Sequence, residues 1–168
     1  MKILITGGSG FIGSNLIHYI LSNTEHKVVN VDKLTYAGNA KSLEDFSDCK
    51  EYVFEHVDIC DRSKIEQLIH KHKPDKIMHL AAESHVDRSI DDSMEFIQTN
   101  IVGTYIMLEV ARHYWMKLSE PKRITFFFTI YQLTRSMETF VRRETFLLKK
   151  LLMLLVLLIL LQKQVLII

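Results

Sequence analysis

A doubly wound α/β fold built on a parallel sheet is the architecture this sequence predicts, and three observations point to it. Short β-rich apolar runs alternate with stretches of helical periodicity. A glycine-rich turn joins the first strand to the first helix, and the second strand closes on a carboxylate. Strands separated by helices pair in parallel, because each crossover returns the chain to the same end of the sheet.

Lys2-Ile3-Leu4-Ile5-Thr6 reads as a short buried strand. Gly7-Gly8-Ser9-Gly10-Phe11-Ile12-Gly13 then turns the chain sharply, and Ser14 to Ser22 continues at helical spacing. Lys27 to Val31 is the second strand, with Asp32 at its end. Tyr52-Val53-Phe54-Glu55 is the third, leading to Val57-Asp58-Ile59. Arg62 to His72 repeats Ile65, Leu68 and Ile69 at helical spacing, with Asp61 placed as its N-cap. Pro74 and Asp75 turn the chain into the fourth strand, Lys76-Ile77-Met78-His79-Leu80. Ser93 to Lys117 predicts a long helix that buries Phe96, Ile97, Ile101, Tyr105, Leu108, Val110 and Ala111. No internal repeat is present.

Strand, Gly-x-x-Gly-x-x-Gly turn, helix, strand and terminal acid make up the dinucleotide-binding (Rossmann) unit. Gly7 permits the tight turn, Gly10 lets the backbone approach a pyrophosphate, and Gly13 lets helix and strand pack closely. The phosphates would then sit on the N–H groups at the positive end of the helix. Asp32 is suited to accept hydrogen bonds from ribose hydroxyls, which favours NAD over its 2′-phosphorylated relative; Lys33 beside it is able to tolerate a phosphate. A glycine triplet alone also occurs in other α/β turns. The flanking strands and the acid give this one its meaning.

A length of 168 residues suits one α/β domain. Met1-Lys2 leads straight into the first strand, with no signal peptide, and Cys49 and Cys60 read as reduced thiols, so the expected location is cytoplasmic. Lys71, Lys73 and Lys76 form a solvated cluster too small for nucleic acid. His70, His72 and Cys60 read as an exposed helix face rather than metal ligands, so no metal is expected. Ser84, His85 and Asp87 carry the letters of a hydrolase triad but lie too close in sequence to assemble one.

The net charge of +1 hides an asymmetry: residues 1–121 carry −5, and residues 122–168 carry +6. From Lys122 onward there is no Gly, Pro, Ala, Asn, Asp or His, and eleven of the last twenty-two residues are Leu. The apolar run Leu151 to Leu161 falls short of the roughly 20 residues a bilayer requires, so no membrane partner is expected.

Thr6-Gly7-Gly8-Ser9-Gly10-Phe11-Ile12-Gly13 resembles the opening of the extended short-chain dehydrogenase/reductase family, whose members modify nucleotide sugars with a tightly held NAD. Three further segments resemble its dTDP-glucose 4,6-dehydratase branch: Asp32 to Asn39, Leu80 to Ile90, and Gln98 to Thr104. The resemblance covers residues 1 to about 123 and implies a lyase with NAD as cofactor, dTDP-glucose as substrate and a homodimeric assembly. It implies that Phe11 and Ile12 sit at the pyrophosphate turn and that Asp32, Lys33, Leu34 and Thr35 line the adenosine ribose. Asp58 and Ile59 would meet the adenine, and Leu80, Ala81 and Ala82 would pass beneath the nicotinamide half with Thr99 nearby. Ser84 would touch the hexose.

The same resemblance implies a reaction that this sequence cannot complete. The family oxidises C4 of the glucose by hydride transfer to NAD, eliminates water across C5–C6 and returns the hydride to C6. A Tyr activated by a Lys four residues later takes the C4 proton, and a Thr-Asp-Glu segment drives the elimination. Neither motif occurs here, so no catalytic residue is assigned. Plausible codons for Thr129 to Phe140, read without the first two bases, give His-Ile-Ser-Thr-Asp-Glu-Val-Tyr-Gly-Asp-Leu. Leu152 to Ile168 treated likewise permits Pro-Tyr-Ala-Pro-Ser-Ser-Pro-Tyr-Ser-Ala-Ser-Lys-Ala-Ser-Ser-Asp-His, which holds Tyr-x-x-x-Lys. Residues 1–123 are therefore expected to be an incomplete NAD-binding domain, and 124–168 an out-of-frame tail after a one-base loss near Ile124. Such a chain would be inactive as written. The alternatives are a non-enzymatic dinucleotide-binding stub with a Leu-rich interaction tail, and a fragment of another nucleotide-sugar epimerase or dehydratase.

Overall fold

All four strands expected from the sequence form, and a fifth extends the sheet. The computed structural model describes residues 1–35, 38, 40–83 and 93–131. Strands β1 (Lys2–Thr6), β2 (Lys27–Asp32), β3 (Tyr52–His56), β4 (Lys76–His79) and β5 (Phe127–Ile130) pair in parallel in the order β3-β2-β1-β4-β5. Leu4 pairs with Val29 on one side and Ile77 on the other, so the earliest strand lies in the middle of the sheet.

Helices cover both faces. Leu4, Val29, Val31 and Ile77 form one core with Ile65, Leu68 and Ile69 of α2 (Arg62–His72) and Met107, Val110 and Ala111 of α4 (Thr104–Met116). By strand alternation Val28 and Asn30 face the other way, and Asn30 and Ile17 of α1 (Phe11–Asn23) converge on Gly8. Asp61 caps α2 as expected, accepting from the Lys64 N–H at 3.1 Å. Lys73 ends that helix in the left-handed region, its N–H bonded to Ile69 O at 2.8 Å.

The long helix forms, but it buries a different stripe from the one its periodicity suggests. α3 (Ser93–Ile97) continues into a π-helical stretch, Gln98–Gly103, and then into α4, with right-handed helical dihedrals at both junctions. The wider π turns shift the phase of the stripe. Thr99, Gly103, Met107, Val110 and Ala111 face inward, Phe96 is half-buried, and Ile97, Ile101, Tyr105 and Leu108 are exposed. Gly103 allows the close approach, since a Cβ there would lie 2.6 Å from Ile59 Cδ1.

After α5 (Glu120–Thr125), Phe127 to Ile130 pair with Lys76 to His79, so sheet-forming residues run past 123. β5 lacks period-2 alternation, which is why it reads as the start of the tail. The Leu151 to Leu161 run lies outside the described residues. No helix among the described residues is long and apolar enough to cross a membrane.

His72 is another correction. It is buried rather than on an exposed face, with its Nε2 2.6 Å from Glu55 Oε1, which also accepts from Lys71 Nζ at 2.8 Å. No cluster of potential metal ligands is found among the described residues.

His79 ends β4 at 2% exposure, with Nδ1 2.7 Å from Thr6 Oγ1 and Nε2 3.1 Å from Thr104 Oγ1. Burial pushes its pKa from the ordinary 6.5 down to about 4. The unfolded chain therefore binds the extra proton first, and stability falls as pH drops from 6.5 toward 4. The loss is expected to reach about 3 kcal/mol at roughly 1.4 kcal/mol per pH unit. Urea unfolding at pH 7 and pH 4.5 measures it, and the His79→Gln variant is expected to lose most of that difference.

Candidate functional site

The carboxyl ends of β1, β2, β3 and β4 meet at one edge, and the order changes direction beside β1, where ligands of open α/β sheets bind. Gly7 adopts φ +71°, and its N–H bonds to Val31 O at 2.9 Å. The turn closes through Gly10 N–H to Gly7 O at 3.2 Å, and α1 begins with Ser14 N–H on Gly10 O at 2.9 Å. Gly10 is the N-cap of α1 in an extended conformation, with no side-chain cap bond.

The three expected glycines separate into two kinds. A Cβ on Gly13 would lie 2.2 Å from Gly7 O, and one on Gly7 would lie 2.6 Å from Ala81 N. Both are required by the fold itself. A Cβ on Gly10 would meet only Gly7 O, at 3.4 Å, so the chain leaves room there. Packing within the described residues does not by itself require a glycine at position 10.

Asp32 is held from both sides. Its Oδ2 accepts from Ser9 N–H and its Oδ1 from Leu34 N–H, each at 2.9 Å, with Leu34 in the left-handed region. The carboxylate thus lies against the glycine turn, as the motif requires. Lys33 turns away from it: its Nζ lies 3.3 Å from Thr99 Oγ1, 3.7 Å from Asp58 Oδ2 and 3.8 Å from Glu95 Oε1. That arrangement joins Lys33, Asp58 and Thr99 in one group at the ends of β2 and β3 and on the long helix. Asp58 Oδ1 also accepts from Cys60 N–H at 2.8 Å, and Ile59 is buried against the core. Cys60 beside them is an inert thiol, raised to about 11 by burial and the neighbouring Asp58.

Leu80 to Ala82 cross directly over Gly7. Leu80 N–H bonds to Thr6 O at 3.1 Å, and Ala81 N–H donates to Thr6 Oγ1 at 3.3 Å. The segment is clamped further on by Asn100, whose Oδ1 accepts from Glu83 N–H at 2.8 Å and whose Nδ2 donates to Glu83 O at 2.9 Å. Phe11 is exposed at the turn, with Ile12 half-buried behind it, and Thr35 lies near Asp32 through its carbonyl bond to Gly38 N–H. Ser84 lies outside the described residues.

The structure therefore brings Gly7, Gly10, Gly13, Asp32 and Leu80 to Ala82 together around one turn, with Lys33, Asp58 and Thr99 as an adjoining cluster. Sequence reasoning missed Gly8, Asn30 and Asn100. Gly8 occupies an unspecified position between the first two motif glycines, Asn30 bonds the Ser9 and Tyr52 hydroxyls, and Asn100 holds the Glu83 backbone, all partners far away in sequence. An Asn inside a strand otherwise rich in Val was the available signal for Asn30.

The sequence pattern of the family described as GDP-mannose 4,6 dehydratase matches residues 4–129. A dTDP-glucose 4,6-dehydratase of Escherichia coli K12 is 59% identical over 128 residues, which is 76% of this chain and 36% of that protein. The chain thus spans about a third of the length of the curated relatives it matches. Among solved structures, a dTDP-glucose 4,6-dehydratase from Bacillus anthracis in complex with NAD superimposes with a TM-score of 0.63 at 33% identity, covering 77% of this chain and 36% of that one. A dTDP-glucose 4,6-dehydratase from Streptomyces venezuelae with NAD bound gives 0.64 at 38% identity, covering 68% and 36%.

Proposed function

Because the chain belongs to the family described as GDP-mannose 4,6 dehydratase, we propose that it carries the NAD-binding part of a dTDP-glucose 4,6-dehydratase. The observation that carries this reading is Gly10, a glycine the fold does not need, at an uncapped helix start with a carboxylate beside it. The pyrophosphate would rest on the Gly10 to Gly13 turn and the ribose hydroxyls on Asp32 and its neighbours Leu34 and Thr35. Asp58 and Ile59 would border the adenine. Lys33, already engaged by Asp58, Glu95 and Thr99, is turned away from a 2′-phosphate, which supports NAD over its phosphorylated relative. Leu80, Ala81 and Ala82 would form the floor beneath the nicotinamide, and Ser84 would meet the sugar. When bound, NAD supplies the hydride acceptor; this chain's own residues bind and orient it.

The family-like part is proposed to run to about residue 129, with the out-of-frame tail beginning there rather than at 124. The enzyme is proposed to be cytoplasmic and, in its restored form, homodimeric. A second reading, a dinucleotide-binding stub without catalysis, is favoured for the chain as written by its lack of a Tyr-x-x-x-Lys motif.

Calorimetric titration of NAD into the 168-residue chain tests the site. Weak binding is expected, since the chain spans only part of its relatives, and Asp32→Ala is expected to lower it by at least about tenfold, roughly the 1.4 kcal/mol of one or two lost hydrogen bonds. Tight binding indifferent to that substitution would remove Asp32 from the site.

A further inference from the structure

Three polar side chains occupy the layer beneath the glycine turn, where β2 otherwise offers Val28, Val29 and Val31 to the interior. Asn30 is fully buried, and its Nδ2 donates to Ser9 Oγ at 3.2 Å and to Tyr52 Oη at 3.0 Å. Its Oδ1 is buried with no partner. That oxygen faces the turn, because a Cβ on Gly8 would lie 2.1 Å from it. Two residues on, along the same face, Asp32 takes the Ser9 N–H. Strand β2 therefore grips Ser9 twice, through its backbone and through its hydroxyl.

An unpaired buried carbonyl costs about 1–3 kcal/mol, and a Val at this position would complete an apolar strand without that cost. Turning the carboxamide over changes which atom is orphaned and leaves the grip on Ser9 intact. A polar group kept in the core against stability, directly under a ligand-binding turn, marks a functional constraint. Thr6, His79 and Thr104 satisfy one another in their own layer; the other buried side-chain atom without a partner among the described residues, Arg123 Nε, belongs to α5.

We infer that Asn30 is a positioning residue for the dinucleotide: by holding Ser9 it sets the Gly8–Gly10 backbone in its receiving shape before the ligand arrives. This rests on the proposed NAD site, and its test has a readout that does not need the ligand.

Asn30→Val, Ser9→Ala and the double variant are compared with the parent 168-residue chain by NAD titration, amide hydrogen exchange and thermal melting. Asn30→Val leaves the Ser9 hydroxyl buried and unpaired, so NAD binding is expected to weaken about tenfold. Exchange at the Ser9 and Gly10 amides, bonded to Asp32 Oδ2 and Gly7 O, is expected to quicken by a similar factor, about tenfold, while β1 and β2 amides hold and the melting temperature does not fall. Ser9→Ala and the double variant lack the same bond, so each is expected to match Asn30→Val in affinity and exchange, the two substitutions being non-additive. Unchanged affinity and exchange in Asn30→Val would overturn the inference. So would a lower melting temperature with faster exchange throughout β1 and β2, which would make Asn30 a plain core residue. If the parent binds no NAD, the site reading fails, and the exchange comparison still decides whether Asn30 orders the turn.

Discussion

Restoring one base near the codons for residues 124–129 is expected to turn a chain that leaves dTDP-glucose untouched into one that converts it to the 4-keto-6-deoxy sugar. The argument is chemical. Proton removal from the C4 hydroxyl needs a phenol made acidic by a nearby ammonium, and no Tyr in the 168 residues has a Lys four positions later. Tyr114 and Tyr131, the two Tyr residues nearest Ile124, are displaced the wrong way. Burial, with a contribution from Asp75, raises the pKa of Tyr114, and burial raises that of Tyr131. The Asp–Glu pair that would assist water loss is also missing from the sequence. Each absent acid–base group is worth roughly 10²–10⁴-fold in rate, and several are absent together. Product formation followed by its ultraviolet absorbance in base separates the two chains. Turnover by the 168-residue chain, or none by the repaired one, would reject the reading.

Gly13→Ala is expected to unfold or severely loosen the protein, whereas Gly10→Ala is expected to fold normally and lose NAD. The two substitutions add the same methyl group to the same turn. At Gly13 it would meet Gly7 O at 2.2 Å and Gly8 Cα at 2.6 Å, both backbone atoms with no rotamer to escape into. Overpacking of this kind costs roughly 3 kcal/mol or more, a large share of the stability of a small domain. At Gly10 the nearest atom is 3.4 Å away, so the melting temperature should hold. The methyl would then stand where phosphate oxygens must approach the backbone. Thermal melts read the first effect and NAD titration reads the second. Equal melting temperatures for the two variants would show that the turn tolerates a Cβ throughout.

The local signals were legible in the sequence and the long-range ones were not. Strands β1 to β4, the cap at Asp61 and the turn through Gly7 to Gly13 depend on neighbours within a few residues, and they form where periodicity and glycine spacing put them. The placement of Asp32 against Ser9 follows from the same spacing. The face of the long helix did not follow, because the π stretch through Gln98–Gly103 alters the phase that periodicity assumes. β5 was hidden for another reason: Phe126-Phe127-Phe128 has no alternation, and only its register with Lys76 to His79 makes it a strand. Asn30 bonds the Ser9 hydroxyl 21 residues away and Asn100 the Glu83 backbone 17 residues away, distances over which no local pattern carries information.

The central place of β1 has a consequence for how the protein is made. It leaves the ribosome before the other four strands of this sheet, yet one of its two neighbours is β4, and Thr6 meets His79 across a gap of 73 residues. At about 5–20 residues per second, synthesis of that interval takes roughly 4–15 s. Through those seconds the Ile3 to Thr6 edge has β2 on one side and water, or another nascent chain, on the other. The glycine turn that follows β1 is bonded to Val31 and Asp32 of β2, whereas Thr6 just before it receives Leu80 and Ala81 only when the fourth strand docks. Translation speed across residues 7–79 therefore sets how long an apolar, β-rich edge is offered to solvent and to other chains.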